Sequence, residues 1–126
     1  MTYHADGFVQ GHNPSYTGGG FTVCDETGEV VMHKQIMKYG FTNNEGELLG
    51  VLHAAMLASH GDTIITDSMN TIRWIKSGNP KARPDLKEQC QLAKETIEFK
   101  GLKLTWRPRH ENLAGQFNEK PKVWTF

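Results

Sequence analysis

The chain has 126 residues, 14 basic and 14 acidic, with 37% hydrophobic and 22% charged content. That is enough for one domain with a core but not two, and the composition is ordinary for a soluble globular protein. No apolar run approaches the roughly eighteen residues of a membrane helix, residues 1–6 lack the basic and apolar regions of a signal peptide, and zero net charge alone argues neither for nor against a nucleic-acid partner.

Residues 3–9 read as a first strand, with Asp6-Gly7 inside it or at its end. Residues 10–20, rich in Gly, Asn, Pro and Ser, read as a loop. Residues 21–24 form a second strand, 25–29 a polar turn with Gly28 for positive φ, and 30–37 a third strand. Three antiparallel strands therefore open the sheet. Asn43-Asn44-Glu45-Gly46-Glu47 starts a helix, with Asn44 as N-cap and Glu47 as its capping-box partner. Leu48, Leu52, Ala55 and Met56 make the apolar face, widened by Leu49 and Val51. Gly61 stops this helix.

Thr63-Ile64-Ile65-Thr66 has the β-branched pattern of a short buried strand, and it ends on Asp67. Strand, helix and strand of these lengths imply a parallel, right-handed crossover. A short helix follows over 68–77, then a basic loop to 84. A helix over 85–99 puts Leu86, Cys90, Ala93 and Ile97 on one face. Residues 102–106 alternate as a fifth strand, and 112–119 form a closing helix. The tail, 120–126, either packs back on the body or marks a contact surface. Cys24 and Cys90 lack metal-ligand spacing and read as free thiols in a reducing, cytoplasmic setting.

Three carboxylates stand out: Asp6 on strand one, Glu47 at the start of the first helix, and Asp67 at the tip of strand four. Strand tips are where open α/β sheets place ligands. Each has a purely structural use as well: a turn, a capping box, a helix cap. Clustered together, three carboxylates cannot all stay ionised without a cation among them. Mg²⁺ takes oxygen ligands and keeps waters for a phosphate substrate. Two such ions roughly 4 Å apart clamp the attacking and leaving oxygens in phosphodiester hydrolysis. Residues 1–70 carry two basic and eight acidic side chains, and 71–126 carry twelve and six. An acidic metal site beside a phosphate-binding face has that distribution.

Ala5-Asp6-Gly7, Thr42-Asn43-Asn44-Glu45-Gly46-Glu47-Leu48 and Thr66-Asp67-Ser68 together resemble type 1 ribonuclease H and its phage and archaeal relatives, over about residues 3–119. The resemblance implies an α/β fold with a mixed five-stranded sheet, order 3-2-1-4-5, flanked by helices. It implies an endonuclease that cuts the RNA strand of RNA–DNA hybrids, leaving 5′-phosphate and 3′-hydroxyl ends. Asp6, Glu47 and Asp67 then hold two Mg²⁺ ions, with Mn²⁺ able to substitute. Gly7, Asn43, Asn44 and Ser68 fall in the substrate-binding motifs, and 2′-hydroxyl contacts distinguish RNA from DNA. A monomer is expected.

The last family motif departs. Its loop His or Arg, then Asn, then Asp corresponds to the stretch from Arg109-His110-Glu111-Asn112 to Glu119. Matching Ala114 puts Gly115 at the fourth carboxylate; matching from Asn112 puts Gln116 there. Glu119 lies one turn beyond Gly115 and can reach back, or Asn112 can serve as a neutral ligand or substrate contact. His110 and Arg109 are candidates for proton transfer or product release. The basic protrusion of larger bacterial members is reduced to 76–83, leaving Arg73, Lys76, Lys81 and Arg83 as candidates to hold the DNA strand. The rivals to a ribonuclease are a catalytically impaired nucleic-acid-binding module and a junction-resolving nuclease.

Overall fold

The computed structural model describes residues 1–119; the expectation for the tail falls outside them. The strands are β1 (Thr2–Val9), β2 (Gly18–Cys24), β3 (Val30–Met37), β4 (Thr63–Thr66) and β5 (Lys103–Trp106). The helices are α1 (Asn43–Leu57), α2 (Met69–Ser77), α3 (Lys87–Lys100) and α4 (Leu113–Glu119). Short 3-10 turns at Pro84–Leu86 and Arg109–Glu111 precede α3 and α4. The sheet order is β3-β2-β1-β4-β5, as expected. β1, β4 and β5 run parallel, and β2 lies antiparallel to both β1 and β3. Among the described residues no helix is long and apolar enough to cross a membrane.

The second strand starts three residues earlier than the glycine signal suggests. Gly18, Gly19 and Gly20 belong to β2 and are buried. A Cβ on Gly20 would overlap the Lys34 carbonyl oxygen, and one on Gly19 would overlap that of Phe8. The glycines here permit close backbone approach within the sheet rather than a loop.

α1 packs against β1 and β2 on one face, while α4 packs on the same two strands. Ala5, Phe21, Val23, Leu48, Val51 and Ile64 are fully buried between α1 and the sheet. α3 lies beside α1 and adds Cys90 and Ala93 to that core. α1 ends at Leu57, before Gly61. Its last carbonyls are satisfied from α3: Lys100 Nζ donates to the oxygens of Ala55, Met56 and Ala58 at 2.9, 2.9 and 2.8 Å. A lysine at a helix C-terminus also complements the helix dipole.

The cap of α1 differs from the sequence expectation. Thr42, not Asn44, is the N-cap, and its hydroxyl accepts from the Glu45 amide at 3.2 Å. Glu47 is therefore not a capping-box partner; it sits in the second turn and is buried. Likewise Ser68, not Asp67, caps α2 by accepting from the Thr71 amide at 3.1 Å. Both carboxylates are released from capping.

Candidate active site

The β1–β4 ladder runs only from Thr2–Thr63 to His4–Ile65. It stops two residues short of Asp6 and Asp67, which face the rim where the ladder has ended. The strand order β3-β2-β1-β4-β5 reverses between β1 and β4, the kind of switch point where α/β sheets bind ligands. Gly7 brings the third carboxylate in. A Cβ there would collide with the Gly46–Glu47 backbone, so glycine lets the first turns of α1 lie on β1. Gly7 is buried beneath α1, where it packs against the helix backbone.

One ligand oxygen each from Asp6, Glu47 and Asp67 lie within 4.8 Å of one another. Asp6 and Glu47 are 0% and 3% exposed. Glu47 Oε2 is buried with no hydrogen-bond donor among the described residues. Burial, reinforced by the charges of Asp6 and Asp67, pushes the Glu47 carboxyl well above its usual range. Burial also raises Asp6 and Asp67, partly offset by Asn118 at Asp6 and by Arg109 at Asp67. Crowded, poorly solvated carboxylates with an orphaned buried oxygen fit a hard divalent cation.

Among the described residues, Arg109 pairs with this cluster. Its Nη1 lies 3.5 Å from Asp6 Oδ1 and 3.3 Å from Asp67 Oδ2, and its Nε pairs with Glu119. Glu119 thus reaches the site through Arg109 and is not one of the three clustered carboxylates. Asn43 and Ser68 join Glu47, Asp67 and Arg109 in lining the cleft, which has a volume of about 300 Å³. Asn44 is exposed at the N-terminus of α1.

Other expected site residues lie elsewhere. Asn112 is fully buried; its Nδ2 donates to the Ala5 carbonyl at 2.9 Å, and its Oδ1 accepts from the Ala114 and Gly115 amides. Its side chain caps α4 and ties it to β1, which corrects its reading as a neutral ligand or substrate contact. His110 is exposed, 3.5 Å from Glu111 and outside the carboxylate cluster. Gln116 donates to the His110 carbonyl and is also exposed. Gly115 faces the cluster: a Cβ there would lie 3.7 Å from Asp6 Cγ. Of the two matches to the missing carboxylate, the geometry selects Gly115.

Arg83 is committed to structure. It pairs with Asp85 and Glu45 and donates to Thr42 Oγ1, and these partners, Asp85 foremost, hold it more firmly protonated. Arg73, Lys76 and Lys81 remain exposed. The residue that sequence reasoning missed is Asn118, which donates to Asp6 Oδ2 at 2.9 Å. Its one sequence signal is the three-residue spacing from Gly115, which places both on one helical face.

A family model described as reverse transcriptase-like matches residues 4–116. No curated protein matches the chain by sequence. Among solved structures, the N-terminal ribonuclease H domain of Rv2228c from Mycobacterium tuberculosis is 22% identical, with 92% of each chain covered and a TM-score of 0.67. Ribonuclease H1 from the halophilic archaeon Halobacterium salinarum NRC-1 is 20% identical, covering 92% of this chain and 91% of its own, with a TM-score of 0.67. LC11-RNase H1, isolated from compost by a metagenomic approach, was solved in complex with an RNA/DNA hybrid. That structure is 21% identical, covering 88% of this chain and 87% of its own, with a TM-score of 0.61. With the family match spanning most of the chain and the sheet order that of these structures, the protein belongs to the reverse transcriptase-like family and has the type 1 ribonuclease H fold.

Proposed function

We propose that the protein is a divalent-metal-dependent endoribonuclease that hydrolyses the RNA strand of RNA–DNA hybrids, leaving 5′-phosphate and 3′-hydroxyl ends. The observation that carries this reading is the convergence of ligand oxygens of Asp6 from β1, Glu47 from α1 and Asp67 from the turn after β4 to within 4.8 Å, with Glu47 Oε2 buried and without a donor among the described residues. A likeness in fold to a ribonuclease H1 captured with an RNA/DNA hybrid supports the substrate class.

Asp6, Glu47 and Asp67 would hold the cation, Mg²⁺ with Mn²⁺ as a substitute. Such an ion stabilises charge at the scissile phosphate and acidifies a water for in-line attack. Two ions would bind there, with Glu119 as a further carboxylate at the rim through its tie to Arg109. Arg109, which pairs with Glu119, Asp6 and Asp67, would bind a phosphate oxygen of the substrate. Asn43, at the cleft wall, and the exposed Asn44 would contact base edges and 2′-hydroxyls in the minor groove. The main-chain N–H of Asn43 donates to Asn13 Oδ1 at 3.1 Å, which ties the start of α1 to the loop after β1. The exposed Arg73, Lys76 and Lys81 would hold the DNA strand.

One observation favours a rival, a hybrid-binding module without turnover: Gly115 supplies no carboxylate where it faces Asp6. End-labelled hybrid, duplex DNA and a four-way junction, each incubated in Mg²⁺ and in Mn²⁺, separate the readings. Cleavage confined to the RNA strand of the hybrid is the expected result. Hybrid binding without cleavage in either metal establishes the binding module, and junction cleavage establishes a resolvase.

A further inference from the structure

The three clustered carboxylates do not account for what stands behind Asp6. On α4, Gly115 faces Asp6 but has no side chain to offer. One turn on, Asn118 does the reaching, donating from Nδ2 to Asp6 Oδ2 at 2.9 Å. Its Oδ1 accepts from Thr22 Oγ1 at 2.7 Å. Thr22, fully buried in β2, has its oxygen 2.8 Å from His33 Nδ1 on β3.

The directions of these bonds follow from the inventory of donors. A carboxylate accepts, so the amide nitrogen of Asn118 turns to Asp6 and its oxygen to Thr22. The single hydroxyl proton of Thr22 then goes to Asn118. The bond between Thr22 and His33 must therefore run from Nδ1–H to Oγ1, which assigns the His33 tautomer from the network. The imidazole is held by stacking on Phe8, with centroids 5.3 Å apart, and by an edge contact with Phe117 at 5.5 Å. One oriented path thus crosses β3, β2, α4 and β1.

We infer that Asn118, aligned by Thr22 and His33, is the positioning residue of the carboxylate centre. It turns Asp6 Oδ2 toward α4 and leaves Oδ1, the oxygen on the Arg109 side, to face a cation. In this way the chain fixes Asp6 without the carboxylate that Gly115 lacks. The inference rests on reading the cluster as the cation site of an endoribonuclease.

The test is Mn²⁺ titration of the full chain by calorimetry, alongside steady-state cleavage of a labelled hybrid, for wild type, Asn118→Ala, Thr22→Val and Thr22→Ser. Outer partners of metal-binding carboxylates are worth roughly 10–100-fold. Asn118→Ala should weaken Mn²⁺ binding and lower kcat by about that factor, with KM nearly unchanged. Thr22→Val should act in the same direction more mildly, and Thr22→Ser should behave as wild type. If Asn118→Ala melts, as circular dichroism would show, the near-isosteric Thr22→Val carries the decision. Mn²⁺ affinity in both variants within about twofold of wild type, well below the expected range, overturns the inference. The titration does not depend on turnover: a wild type that binds Mn²⁺ but cuts no hybrid refutes the endoribonuclease reading, while the affinity ratio still judges Asn118. A wild type that binds no Mn²⁺ refutes both.

Discussion

Glu47 concentrates the electrostatics of the site. It is buried, stands beside Asp6 and Asp67, and has one oxygen, Oε2, with no hydrogen-bond donor among the described residues. Its folded-state carboxyl is raised above the ordinary value of 4.5, so the folded protein holds this proton more tightly than the unfolded chain. Its contribution to stability is therefore full below about pH 4.5 and is lost as pH rises through the folded value. Asp6 and Asp67 are also raised and act with the same sign. In the presence of a chelator, Tm should fall as pH rises above this range. Glu47→Gln should flatten the fall, and added Mg²⁺ should raise Tm at neutral pH by binding the folded state. Thermal melts across pH check all three. For activity, Asp6→Asn, Glu47→Gln and Asp67→Asn should each lower hybrid cleavage by roughly a hundredfold or more, beyond the usual cost of losing an outer partner.

At the level of elements, the two helix N-termini at the cleft are capped so as to leave the acids free. Thr42-Asn43-Asn44-Glu45-Gly46-Glu47 contains two overlapping capping-box patterns, Thr42 with Glu45 and Asn44 with Glu47. Local sequence does not choose between them. Tertiary contacts do: Glu45 is held by Lys38 and Arg83, while Glu47 is drawn over Gly7 to the rim. Thr42→Ala should cost about 1 kcal/mol in urea unfolding; Asn44→Ala should leave stability nearly unchanged and weaken hybrid binding. α4 offers a complementary test. A Cβ on Gly115 meets only ordinary contacts, the nearest at 3.7 Å, so Gly115→Asp should fold. It should lower the Tm of the metal-free protein by adding charge beside Asp6, and tighten Mn²⁺ binding by about tenfold, read by calorimetry.

Across the whole molecule, the strands and helices were readable in the sequence wherever apolar periodicity reports burial directly, as in Thr63-Ile64-Ile65-Thr66 and the Leu86, Cys90, Ala93, Ile97 face. Gly18-Gly19-Gly20 was misread because glycine marks close backbone approach as well as turns, and only the neighbouring strands decide between them. The three acids were readable from their motifs. Asn118, Thr22 and His33 were not, because their link depends on side chains meeting across α4, β2 and β3. The charge asymmetry between the halves was also visible, yet Arg83 proved internally paired. Lys81→Ala should reduce the salt dependence of hybrid binding by about one unit of log–log slope, whereas Arg83→Ala should chiefly lower stability.

In the proposed mechanism Asp6, Glu47 and Asp67 jointly hold the ion that acts on the hybrid. The most direct measurement is anomalous scattering at the manganese edge from crystals of the protein bound to an uncleaved hybrid. The expected result is a Mn²⁺ peak contacted by oxygens of Asp6, Glu47 and Asp67 and by a phosphate of the RNA strand. A hybrid-bound crystal in Mn²⁺ with no peak at these carboxylates, or with Arg109 still lodged against Asp6 and Asp67 in its place, would contradict it.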